Sequence, residues 1–281
     1  MITPSNTTGS RHFHTPAGPV QSCNPVAWLQ KPTTMTTPIC LWSGPRNIST
    51  ALMYSFAQRP DVRVIDEPLY GHYLRVTGAG HPGRDEILET MNCDGNAVMC
   101  ELLARQVNNA TPRLFLKHMA HHLVDLDLGF LQETYNIFLL RDPREMLPSL
   151  TIQLPNAGLA DTGLKRQWQL FNDLRSAGQH PVILDSRELL LDPRGVLRQL
   201  CQHLDLEFDA RMLLWEAAPR PEDGIWARHW YHAVHKSTGF APYERKHGFP
   251  DHLQDLLLDC KPWYDKLFEY ALRADSAGED K

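Results

Sequence analysis

The chain has 281 residues, 42% of them hydrophobic, with a formal net charge of −5 and a pI near 6.3. That length supports one sizeable core. Its acidic balance excludes general nucleic-acid binding, which draws on broad basic patches, so any anion site must be local. No apolar run has the length of a membrane span, and the N-terminus lacks the apolar core of a signal peptide. A cytoplasmic protein with neither nucleic-acid nor membrane partners is expected. The six cysteines, Cys23, Cys40, Cys93, Cys100, Cys201 and Cys260, are scattered with no Cys-x-x-Cys pair, as expected of free thiols in a reducing compartment.

Residues 1–37 are rich in Pro, Thr, Ser, Asn and Gly and read as a disordered extension. From 38 to 273, short apolar runs alternate with amphipathic segments, and 274–281 reads as a flexible tail. The runs are ICLW at Ile39–Trp42, VRVID at Val62–Asp66, RLFLK at Arg113–Lys117, NIFLL at Asn136–Leu140 and PVILD at Pro181–Asp185. Each suits a strand buried on both faces. Helical patterns lie between them, as in GVLRQLCQHLDL, where Val196, Leu197, Leu200 and Leu204 share a face. This alternation predicts an α/β fold with a mainly parallel sheet flanked by helices and a helical C-terminal part.

The first run leads through Ser43-Gly44-Pro45-Arg46-Asn47 into a helical pattern starting near Ile48. A helix entered this way points unpaired N–H groups at the turn and favours an anion there. Ser49 and Thr50 add hydroxyls, and Arg46 adds a cation able to grip two oxygens. The plainer alternative is a strand-to-helix turn with a surface Arg. A Walker A loop needs a Gly-Lys pair where this chain has Ser49 and Thr50, which disfavours a triphosphatase or kinase.

The second strand runs into Glu67 and the third into His118, with His121 and His122 beyond. The fourth ends at Arg141, and Ser149 follows eight positions later in the next helical segment. An Arg at the C-terminal end of a parallel strand faces the crevice where ligands bind, and a hydroxyl in the following helix can complete a phosphate clamp. Alternatively, Arg141 pairs with Asp142 or another neighbouring carboxylate. Among late segments, HWYHAVHKSTGF spaces His229, His232 and His235 three apart. That spacing rotates ligands apart on a helix, so no metal site is expected. Trp226, Trp230 and Tyr231 are core or interface aromatics or, together with Lys236-Ser237, a lid over cofactor or acceptor.

These two motifs, in this order, resemble the phosphosulfate loop and the 3′-phosphate clamp of sulfotransferases, enzymes using 3′-phosphoadenosine 5′-phosphosulfate (PAPS). The chain also resembles the sulfotransferase-like part of plant branched-chain aminotransferase-like proteins, with which it shares WS-x-PR-x-x-ST-x-LMYSFAQR and DEPLY. The resemblance implies a P-loop-type sheet. It implies a PAPS site built from Pro45, Arg46, Asn47, Ile48, Ser49 and Thr50, with Ile48 standing where the family has Gly. It implies Arg141 and Ser149 on the 3′-phosphate, and Arg46 and Lys117 stabilising charge at the sulfuryl group. Glu67 or His118 is the implied base, and Asp66 a partner of Arg46 or a loop donor. The acceptor would be a small molecule bearing a hydroxyl or amine, bound by 69–96, 153–164 and 219–243. A nucleotide-binding protein without turnover is the rival reading.

Overall fold

A computed structural model describes residues 36–104 and 112–275, all within the compact unit Thr33–Lys281. The expected extension, up to residue 35, and the last six residues of the expected tail lie outside the described residues.

The apolar runs form strands almost where their patterns place them: β1 (Ile39–Ser43), β2 (Val62–Asp66), β3 (Arg113–Met119), β4 (Tyr135–Leu140) and β5 (Val182–Asp185). All pair in parallel in the order β2-β3-β1-β4-β5. Between β1 and β3 come α1 (Ser49–Phe56), α2 (Tyr70–Thr77), α3 (Arg84–Thr90) and α4 (Gly95–Ala104). Between β4 and β5 lie α5 (Pro143–Gln153), α6 (Leu159–Thr162) and α7 (Leu164–Ser176). The chain then runs through α8 (Ser186–Leu191), α9 (Pro193–His203), α10 (Ala227–Trp230) and α11 (Gln254–Phe268).

Side chains alternate across the strands and feed two cores. Ile39 and Leu41 of β1 pack with α1 and α9, through Leu52, Phe56, Val196 and Leu200. Cys40 and Trp42 pack on the other face with α5, α7 and α11, through Leu147, Phe171 and Leu257. Both faces are therefore covered, and the fold is α/β with a parallel sheet between helical layers. Cys40, Cys93, Cys201 and Cys260 are free thiols. Cys100 is disulfide-bonded, contrary to the expectation of free thiols throughout. Among the described residues, no helix is long and apolar enough to cross a membrane.

At their C-terminal ends β1 and β4 are joined by side chains from outside the sheet. Fully buried Gln167 of α7 donates Nε2 to the carbonyls of Trp42 (2.9 Å) and Leu139 (3.1 Å). The loop after β1 comes so close to α6 that a Cβ on Gly44 would lie 2.6 Å from the Thr162 carbonyl oxygen. Only glycine fits there.

Candidate active site

A cleft of about 480 Å³ opens over the C-terminal ends of β1, β3 and β4. Parallel sheets offer a ligand site at this edge, where connections leave in opposite directions.

One wall is the loop after β1. Pro45, Arg46, Asn47, Ile48, Ser49 and Thr50 all line the cleft, as do Arg141 and Ser149. Arg46 adopts φ 55°, in the left-handed region that a branched cation seldom occupies. Its Nε donates to Ser149 Oγ at 2.9 Å, and Arg141 donates to the Arg46 carbonyl at 2.8 Å. The two motifs, 95 positions apart, thus meet through direct hydrogen bonds. Burial and then the Arg141 charge lower the pKa of Arg46. Two guanidiniums placed together at a half-open cleft are a site for a multiply charged anion. The partner of Arg141 is Glu145, one helical turn on at 3.5 Å, rather than Asp142, whose side chain caps α5. Asn47 serves the loop itself: Oδ1 accepts the Ser49 N–H (3.0 Å) and Nδ2 reaches the Leu139 carbonyl (3.2 Å).

A third cation, Lys246, lies near this wall without lining the cleft, its Nζ 3.5 Å from the Glu145 carbonyl oxygen. The pKa of Lys246 is lowered by burial, then by Arg141, with Arg46 adding to the effect. The basic pair Arg245-Lys246 was the sequence signal for it.

The floor is a buried network. Lys117, near the end of β3, lies beside Asp66 of β2, its register partner. Its ammonium donates to Asp66 Oδ1 (2.9 Å), Glu67 Oε1 (2.5 Å) and Tyr231 OH (2.8 Å), which uses all three N–H groups. The Tyr231 hydroxyl donates to Asp66 and accepts from Trp226 Nε1 at 3.2 Å. Burial opposes the Lys117 charge, but Asp66 and Glu67 outweigh it and hold the ammonium well above its ordinary range. Glu67 is raised, mainly by burial, with Asp66 adding to the effect against the pull of Lys117. It lines the cleft and sits at φ 41°.

Three expectations need correction. Asp66 pairs with Lys117 and Tyr231, not with Arg46. Lys117 reaches the cleft floor, but its donors are already engaged by protein groups. His118 is fully buried, is stacked on Trp42 at 4.4 Å, and does not line the cleft. Neighbours on a strand point to opposite faces, so Lys117 and His118 cannot both face one cavity. Burial pushes the His118 pKa down to about 3.

The far end of the cleft draws on all three expected segments, at Tyr70, Tyr73 and His81, at Leu154 and Asp161, and at Trp226, Trp230 and Ser237. Of the suggested lid, Trp226, Trp230, Tyr231 and Ser237 line the cleft, while Lys236 does not. Its histidines are dispersed: His235 meets Asp223 at 2.9 Å, and His229 accepts from Arg228. Among the described residues no group of His, Cys, Asp or Glu converges to hold a metal.

Comparison with known proteins agrees with this architecture. The chain is 42% identical over 228 residues to branched-chain-amino-acid aminotransferase-like protein 2 of Arabidopsis thaliana, covering 80% of this chain and 40% of that protein. It is 39% identical to protein 1 of the same name and plant, covering 84% and 42%. The chain therefore spans about two fifths of the length of these relatives. Among solved structures, the sulfotransferase domain of the Synechococcus PCC 7002 olefin synthase superposes with a TM-score of 0.50 at 20% identity, covering 86% of this chain and 98% of that domain. The sulfotransferase domain model matches residues 37–271, and the chain belongs to that family.

Proposed function

We propose that this chain transfers a sulfuryl group from PAPS to a hydroxyl or amine of a small acceptor. The observation that carries the reading is the junction of Arg46, Arg141 and Ser149, which sets two guanidiniums on one wall of a cleft that Glu67 also lines. In this reading the loop Pro45–Thr50, with Arg46 at its centre, holds the 5′-phosphosulfate. Arg141 and Ser149, with Lys246 near them, hold the 3′-phosphate.

The acceptor oxygen or nitrogen attacks sulfur, the bond from sulfur to the bridging phosphate oxygen breaks, and 3′,5′-ADP leaves. Glu67 takes the acceptor proton, a task suited to a carboxylate whose pKa is raised. Arg46 stabilises charge on the leaving oxygens. Lys117 acts through Glu67 by fixing its orientation, because its own donors are satisfied within the protein.

Thermal unfolding with 3′,5′-ADP, 5′-ADP and ATP-Mg, on the native chain and Arg141→Ala, tests the nucleotide site. Ligand at a hundred times its Kd adds about 2.7 kcal/mol, or several degrees in a domain of this size. The reading expects 3′,5′-ADP to stabilise most and the substitution to abolish the effect. Better stabilisation by ATP-Mg would replace it with a kinase. Nucleotide binding without sulfuryl transfer to any of a panel of alcohols and amines would leave a binding protein instead.

A further inference from the structure

The cleft is unevenly charged. Arg46 and Arg141 occupy one wall, and Lys117 is consumed by Asp66 and Glu67. Elsewhere the cleft lining is a compartment of rings. His122 lies between Tyr70, stacked at 5.0 Å and 4°, and Tyr73, at 4.4 Å and 23°. His121 meets His122 edge-on at 4.7 Å. His81 is held by the Tyr70 hydroxyl at 2.8 Å.

Burial works against a positive charge on these imidazoles. Burial pushes His121 down to about 4 and His122 well below its ordinary value, and lowers His81 as well. The Nδ1 atoms of His121 and His122 are buried in the cleft wall without hydrogen-bond partners. Such orphaned atoms are costly, and a ligand bearing donors relieves them.

The charge that this compartment does carry is negative. Asp161 lines the cleft and is fixed by accepting the Gly158 N–H at 2.8 Å. Its field reaches Tyr73, His81 and His121. Among the described residues no lysine or arginine forms an ion pair with it. A carboxylate without a cation, set among aromatic faces and imidazoles, attracts an ammonium by charge and by the ring quadrupoles. An anionic acceptor would meet the Asp161 carboxylate with no cation to offset it.

We propose that the acceptor is a hydroxylated amine, its protonated nitrogen seated against Asp161 and its hydroxyl turned toward Glu67. This rests on the sulfotransferase reading above. The hydroxyl oxygen forms the bond to sulfur while the sulfur–oxygen bond to the 5′-phosphate breaks. Glu67 takes the hydroxyl proton, and the ammonium keeps its own. A protonated amine has no lone pair for sulfur, so sulfation falls on oxygen.

The test titrates the chain first with 3′,5′-ADP and then, nucleotide-loaded, with tyramine, 4-ethylphenol and 4-hydroxyphenylacetate. Tyramine is expected to bind about ten-fold or more tightly than either of the others. Asp161→Asn, which keeps an oxygen for the Gly158 N–H, is expected to remove that preference while leaving affinity for 4-ethylphenol and 3′,5′-ADP unchanged. Asp161→Glu should restore part of it. Equal binding of 4-ethylphenol, an unaffected Asn variant, or no binding of any of the three to loaded protein overturns the proposal. The comparison among the three ligands needs no variant, so a misfolded Asp161→Asn would not rescue it. If 3′,5′-ADP itself fails to bind, the sulfotransferase reading fails first and this inference goes with it.

Discussion

The ammonium of Lys117 lies 2.8 Å from the phenol oxygen of Tyr231, a residue 114 positions further along the chain. This contact ties the late aromatic segment to the floor of the cleft. A second tie is made nearby, where Asp223 accepts from the Tyr54 hydroxyl at 2.7 Å and meets His235. Tyr231→Phe keeps the ring and removes the hydroxyl, leaving Lys117, Asp66 and Trp226 Nε1 each short of a buried partner. The expected cost is about 1–3 kcal/mol, read as a drop of several degrees in Tm. An unchanged Tm would mean that the hydroxyl holds nothing.

Removing the cation itself is predicted to be worse. Lys117→Met leaves the carboxylates of Asp66 and Glu67 buried together, 5% and 8% exposed, with no ammonium between them. Breaking a buried pair by deleting one partner costs roughly 3–5 kcal/mol. Adding Asp66→Asn should recover part of that loss, because it withdraws one of the stranded charges. Denaturant unfolding of the single and double variants measures the coupling, and strict additivity would argue against an ionic network.

Legibility from sequence followed the range of the interaction. Apolar runs bounded by turn residues located the strands, because a parallel strand buried on both faces writes its burial into consecutive residues. The Arg46 and Arg141 motifs were legible because each is a strand end followed by a helix start. Glu67, which directly follows a strand, was legible as a residue of the same sheet edge and lines the cleft. Lys117 and His118 were offered together because they are adjacent in sequence, yet strand alternation sends them to opposite faces. Tyr231 was seen only as a core or lid aromatic, since its partners Lys117 and Asp66 lie more than a hundred positions away. Helices α2 and α3 went unread in a segment assigned only to acceptor binding. There, Gly, His and charged residues obscure an apolar stripe of only a few positions, Tyr70, Leu74 and Ile87, that packs on Trp226 and Tyr231.

Glu67 sets the expected pH dependence of sulfuryl transfer. Its folded pKa lies above the usual carboxylate value, first because it is buried and then because Asp66 is close. A base works only when deprotonated, so activity should fall as pH drops through that raised value, with the acid limb above the ordinary limit of about 4.3. Glu67→Gln should lower kcat by about 10²–10⁴ and remove that limb, with 3′,5′-ADP affinity retained. A variant with native kcat and an unaltered profile would remove Glu67 from the chemistry.

Asp185 gives a pH-dependent stability that is independent of the cleft. It ends β5 fully buried, accepts the Arg187 N–H at 2.9 Å and receives the Tyr264 hydroxyl at 3.0 Å. These bonds favour the carboxylate, but burial outweighs them and pushes the carboxyl up from 3.8 to about 6. With the folded value above the unfolded one, the native state holds the proton more tightly between them. The stabilisation is complete below the lower value and is lost as pH rises through the upper one, a change on the order of 2–3 kcal/mol. Asp185→Asn keeps an oxygen for the cap, turns its NH₂ toward the Tyr264 hydroxyl oxygen, and has no charge to bury. Its stability advantage over the native chain should therefore be larger at pH 8 than at pH 5, by roughly 1 kcal/mol, measured by urea unfolding at both. A constant difference between the two chains would show that Asp185 titrates in the fold as it does in the unfolded chain.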